Sequence, residues 1–216
     1  MIEGIHDWPL FIGAGLLLNL TPGADMALVV RSAAAQGARA GAAAALGVGA
    51  GCWLHTAAAA LGLSALLTGS PAAFGALRWL GAAYLVWLGL GLLRAGSAHP
   101  AASRETVPDL AWRRLFVQGF LTNALNPKVA LFFLAFVPQF IAADAPHKAL
   151  AFIALGTVFV VNATLVNLAI AAGTAALRRR LGNGSASLQL GRWLNRGVGA
   201  AFIALGLKLA LDDGRT

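Results

Sequence analysis

Asn19-Leu20-Thr21-Pro22-Gly23-Ala24-Asp25 stands in the middle of one apolar run, and Asn123-Ala124-Leu125-Asn126-Pro127-Lys128 in the middle of another, in the other half of the chain. A proline inside a helix removes a backbone hydrogen bond and clashes with the preceding turn, yet it suits the first position of a new helix behind a Thr or Asn cap. Each stretch therefore reads as a break at which a second half-helix starts. Pro22 lies 14 residues after Trp8 and Pro127 lies 12 after Leu115. At about 1.5 Å per residue, both breaks fall roughly 20 Å into their helices, near the middle of a bilayer. Asp25 and Lys128 follow the prolines within three residues. An ionised side chain at that depth costs at least about 2.5–3.5 kcal/mol on insertion scales, so each is expected to face a partner or a wet cavity.

The flanking sequence explains why these runs read as membrane spans. Of the 216 residues, 59% are hydrophobic and only 11% charged, far too few charges to cover a soluble core. Apolar stretches of about 20 residues suffice to cross, and six are expected: about 8–30, 41–67, 73–93, 115–141, 149–177 and a weaker 193–211. The turn signal Thr68-Gly69-Ser70-Pro71 separates the second from the third. The amino-terminal MIEGIHDW carries Glu3 and Asp7 where a signal peptide has basic residues, so the first run is expected to stay as a span. Cys52 is the sole cysteine, which excludes a disulfide framework or a CxxC pair.

Net charge is +8, and its distribution gives an orientation. Six spans put Arg31, Arg39, Arg94, Arg104, Arg113, Arg114, Arg178, Arg179, Arg180, Arg192 and Arg196 in three loops on one side, against Arg78, Lys148, Lys208 and Arg215 on the other. Eleven against four predicts those loops, 31–40, 94–114 and 178–196, to be cytoplasmic and both termini outside. Membrane insertion accounts for the basic excess better than a nucleic-acid role for Arg178-Arg179-Arg180.

The halves also resemble each other. Beyond the two proline sites, Arg78-Trp79-Leu80 then Gly81-Ala82-Ala83-Tyr84 in span 3 is matched by Arg192-Trp193-Leu194 then Gly199-Ala200-Ala201-Phe202 in span 6. With three spans each, the halves enter the membrane from opposite sides. The expected fold is all-α and integral to the membrane. It is a single transmembrane domain over 1–216, built of two inverted three-helix repeats (about 8–93 and 115–211) with broken helices 1 and 4 and a loop at about 94–114. Inverted repeats are a common transporter architecture, with the site at broken helices near the midplane.

That reading selects Thr21, Pro22, Gly23, Asp25, Asn123, Asn126, Pro127 and Lys128 as the substrate-binding and coupling set. Backbone N–H groups and the positive ends of two half-helices would seat a carboxylate. Asp25 would neutralise an ammonium or take up a proton, and Lys128 would hold the carboxylate or Asp25 itself; an ion pair joining spans 1 and 4 is the structural alternative. His55 and Asn162, with Thr164 and Asn167, are weaker cavity candidates. Gly47, Gly49 and Gly51 in span 2 and Gly89 and Gly91 in span 3 read as close-packing faces. No metal site and no cofactor are expected.

The segment Thr21-Pro22-Gly23-Ala24-Asp25-Met26 with Arg31, Gly37 and Ala45-Leu46-Gly47, and then Gly119-Phe120-Leu121-Thr122-Asn123, Asn126-Pro127-Lys128, Phe132-Phe133 and Pro138-Gln139-Phe140, resembles the LysE/RhtB family of bacterial amino-acid exporters. The likeness spans nearly the whole chain, with PGxD and NPK as its specific elements. It implies efflux of amino acids or close derivatives across the inner membrane in exchange for protons, with the broken-helix elements falling on Pro22, Gly23, Asp25, Asn126, Pro127 and Lys128. Ala24 stands where the family usually has a second proline. Some members carry an acid near the position of Cys52; its absence here favours neutral substrates of threonine, homoserine or leucine type over lysine or arginine. Expected partners are the amino acid, protons, the lipid bilayer and, as an open alternative, further copies of the chain; nucleic acid is not among them. The competing classes are a membrane-embedded enzyme, which lacks a catalytic cluster beyond isolated His55, and a non-transporting helper subunit.

Overall fold

The structure, a computed structural model, describes residues 3–65, 71–94, 111–181, 200–204, 206–207 and 210–211. These form helices α1 (Trp8–Leu20), α2 (Ala24–Gln36), α3 (Ala38–Ala58), α4 (Pro71–Arg94), α5 (Trp112–Ala124), α6 (Pro127–Leu131) and α7 (Lys148–Leu181). A π-turn, Ala59–Leu63, continues α3; α6 passes into a second π-turn, Phe132–Phe136, and a 3₁₀ turn, Val137–Phe140.

Both prolines break their helices. The axes of α1 and α2 differ by 56°, and those of Trp112–Ala124 and Pro127–Phe140 by 45°. Among the described residues, Ala38–Leu63 and Lys148–Arg179 are long and apolar enough to cross a membrane alone, and there are four such spans if each bent pair counts as one. In α4 the apolar stretch Trp79–Gly91 is shorter. Residues 193–199 of the expected sixth span lie outside the described residues; 200–204 are helical.

The two bent pairs run in opposite directions. At one end, His6 N–H donates to the Phe140 carbonyl (3.1 Å) and Ala142 N–H to the Gly4 carbonyl (2.8 Å), so the start of the first pair lies on the end of the second. At the other end Leu115 clusters with Ala40 and Ala43, so the start of the second pair lies by the end of the first. There too the Arg178 guanidinium donates to the carbonyls of Ala34 and Ala35. The arginines assigned to one side thus gather: Arg31, Arg39, Arg113, Arg114, Arg178 and Arg179 are exposed around this end. Arg94 points the same way, because α4 runs antiparallel to α6, with Gly81 against Ala135 and Tyr84 against Lys128. Arg104, Arg192 and Arg196 fall outside the described residues.

One expected loop is far shorter. Helix α2 runs on to Gln36, carrying Arg31 within it, and Gly37 alone makes the turn into α3 with φ +88°, a left-handed conformation that glycine adopts without steric penalty. At the other end of the chain, α7 runs to Leu181, past the expected span end at 177.

Two contacts organise the interior. An aromatic cluster of Phe11, Phe132, Phe133, Phe136, Phe140 and Phe159 packs α1, the second bent pair and α7 together. Helices α3 and α5 meet backbone to backbone: a methyl on Gly47 would overlap the Phe116 carbonyl, one on Gly51 the Phe120 carbonyl, and one on Gly119 the Ala44 carbonyl. Small residues permit this approach where no water-driven hydrophobic effect pulls helices together. Gly49 leaves room for the Thr164 side chain, whereas a methyl on Gly91 would meet nothing within 4 Å among the described residues.

Candidate functional site

The two breaks close differently. Asn126 caps α6: its Oδ1 accepts from Lys128 N–H (3.0 Å) and Pro127 takes the first helical position, satisfying an end that would otherwise expose orphan donors. At the first break Thr21 is instead the last residue of α1's side, its hydroxyl donating back to the Leu17 carbonyl (2.8 Å). Helix α2 begins only at Ala24, behind Gly23, which offers no side-chain cap. The Thr cap expected for α2 is therefore absent, because the extended Pro22-Gly23 linker separates Thr21 from the helix it would cap.

Asp25 sits buried in the first turn of α2, where the helix dipole favours an anion. Its Oδ2 accepts from Asn123 Nδ2 and Asn126 Nδ2, both at 2.9 Å, while its Oδ1 is buried without a hydrogen-bond partner. Lys128 reaches the opposite kind of helix end. Its ammonium donates to the carbonyls of Leu18 (3.3 Å) and Thr21 (3.1 Å), where α1 ends and its dipole is negative. The two charges do not form the direct ion pair that the sequence left open; among the described residues that geometry is met only by His6 and Asp7, outside the bundle. Asp25 is held through one oxygen by two amides at a helix start, and Lys128 by the carbonyls of a helix end. Gly23 leaves the space that the Lys128 side chain crosses, an added Cβ there lying 3.2 Å from Nζ.

Between these groups lies a cavity of about 20 Å³, lined by Asn19, Thr21, Asp25, Asn123, Lys128 and Asn167 on its polar side and by Met26, Val48 and Phe159 among the apolar residues. Asn126 holds Asp25 from outside that lining, and Pro22 and Pro127 are exposed. Neither His55 nor Asn162 lines the cavity. His55 donates through Nε2 to the Asn123 carbonyl (2.9 Å) and stacks on Phe133, bracing the chain just before the second break. Asn162 is half-buried on another face of α7, and Asn167 takes the place expected for it.

Two further contributors carried weak sequence signals. Asn19 opens the first motif, and its Nδ2 is buried without a partner. Tyr84, the chain's sole tyrosine, donates its hydroxyl to the Lys128 carbonyl (2.9 Å), tying α4 to the start of α6. A buried phenol needs an acceptor, but sequence does not say which one.

An all-helical chain with apolar spans and opposed ions held at two opposed helix breaks has the build of an integral membrane protein organised around a central polar site. The profile of the LysE type translocators matches residues 16–213, and the chain belongs to that family. It is 32% identical over 216 residues to an uncharacterized membrane protein of Pseudomonas aeruginosa, covering 96% of each chain. It is 31% identical over 206 residues to a homoserine/homoserine lactone efflux protein of Salmonella typhi, covering 94% of this chain and 95% of that one. Identity to a leucine efflux protein of Salmonella choleraesuis is 30% over 209 residues, covering 95% of each. No solved structure matches the chain.

Proposed function

We propose that the protein exports neutral amino acids or close derivatives across the bacterial inner membrane in exchange for protons, binding the substrate between the two broken helices. The observation that carries this reading is Asp25: a buried carboxylate with one oxygen held by two amides and the other unpartnered, beside a cavity between the breaks. An intramembrane acid so placed is suited to exchanging one positive charge, an ammonium or a proton, for another. The names of the two efflux relatives support amino-acid or related substrates. The opposed bent pairs, each followed by a long helix, support two inverted repeats with six spans. The arginines gathered at one end support a cytoplasmic placement of that end, with both termini outside.

The test is counterflow of radiolabelled amino acids into liposomes holding the purified chain, with and without a pH gradient. A neutral amino acid is expected to accumulate, faster with the gradient, and Asp25→Asn is expected to bring uptake to background while still inserting. Normal counterflow by Asp25→Asn overturns the assignment.

A further inference from the structure

We infer that Asn167 completes, with Asp25 and Asn123, a seat of three acceptor oxygens for a primary ammonium group, so that recognition is centred on the substrate's amine and tolerates changes at its carboxylate. The inference rests on reading this cavity as the substrate site.

The orientation of each amide is dictated by what its NH₂ group touches. Asn123 Nδ2 faces the Asp25 carboxylate, which can only accept when ionised, and Asn167 Nδ2 donates to the Ala163 carbonyl at 2.9 Å, which can also only accept. Neither amide can be turned round without setting oxygen against oxygen. Their Oδ1 atoms, like Asp25 Oδ1, are then left buried with no partner, and all three residues line the same cavity. Buried acceptors are normally satisfied, so three together on one small space call for a guest that donates. The volume, about 20 Å³, is room for one water-sized group. Water brings two donors, whereas a primary ammonium brings three and a charge to match Asp25.

The carboxylate end of an amino acid finds less. Two of the three protons of Lys128 Nζ are already on the Leu18 and Thr21 carbonyls, leaving one, together with Asn19 Nδ2. The substrate's remaining atoms need the helices to part along the apolar wall of Met26, Val48 and Phe159.

The test uses the full chain in liposomes and counterflow of radiolabelled homoserine and leucine. Competitors are the unlabelled amino acid, its N-methyl and N,N,N-trimethyl derivatives, and its carboxyl amide. On the wild-type chain the N-methyl compound should compete about tenfold less well, the scale of one charge-assisted hydrogen bond, the trimethyl compound not at all, and the amide within about threefold of the parent. Asn167→Leu should raise KM about tenfold at little change in maximal rate and shrink the penalty for N-methylation. Among the described residues its side chain bonds only to Ala163 within α7, so the substitution breaks no hydrogen bond between helices. A trimethyl compound that competes as well as the parent overturns the proposal, as does an unchanged KM in Asn167→Leu or counterflow indifferent to N-methylation. Counterflow that is absent, or indifferent to Asp25→Asn, brings down the reading of the cavity itself. Counterflow that needs Asp25 but ignores Asn167 brings down this inference alone.

Discussion

The second helix break is self-sufficient, and the first is not. At Asn126-Pro127 a single side chain caps the new helix and the proline occupies the one position where its missing N–H does no harm. At Thr21-Pro22-Gly23 no side chain caps the start of α2: the threonine turns back to the Leu17 carbonyl of α1, and glycine stands where a cap would be. The missing groups come from the other half. Lys128 serves the last carbonyls of α1, and Asn123 and Asn126 serve Asp25 at the start of α2. Two motifs that look alike thus divide the labour, one as a fixed frame and the other as a break held open from outside.

Lys128→Met attacks that dependence most directly and should have the largest effect. Transport should fall to background in the liposome assay, and stability should drop by about 1–3 kcal/mol as the Thr21 carbonyl loses the ammonium and the Leu18 carbonyl keeps only the Thr21 N–H, read by equilibrium unfolding in detergent. Asn126→Ala removes a cap and one of the two bonds to Asp25, and should cost about 1–2 kcal/mol by the same measurement with a several-fold rise in KM. Thr21→Val should cost only about 0.5–1 kcal/mol, because that hydroxyl serves the Leu17 carbonyl at the end of α1 and nothing across the break. The Asn126 and Thr21 variants sharpen the comparison as a pair. Equal effects would mean that the two breaks are built alike after all.

Sequence carried the existence of both breaks and their place along the chain, since a proline beside a charge in an apolar run has few other physical meanings. It also carried the long spans α3 and α7, though it set the turn at 31–40 where Gly37 suffices. What it did not carry was partnership. The residues around Lys128 do not tell whether an ammonium five bonds from its Cα will find a carboxylate or a helix end, because the answer depends on how α1 and α6 cross. The choice between Asn162 and Asn167 was hidden for a different reason. Helix α7 is apolar on every side, so its sequence has no polar stripe to show which asparagine faces inward. Asn167 stands out only once its amide is seen bonded to Ala163 and its oxygen left bare.

The glycine seam between α3 and α5 bears on motion. Where Gly47, Gly51 and Gly119 bring carbonyl oxygens against the facing backbone, no side chains remain to swing aside or repack. Such a seam has no low-energy way to open by halves, so α3 and α5 are expected to move as one plate in the rocking that the proposed transport requires. Asn123, at the end of that plate, travels with it, while Asp25 and Asn167 ride on other helices. If the cavity is the substrate site, as proposed, opening the plate away from α2 and α7 would pull the three oxygens apart, so the step that admitted solvent would also release the ammonium they hold.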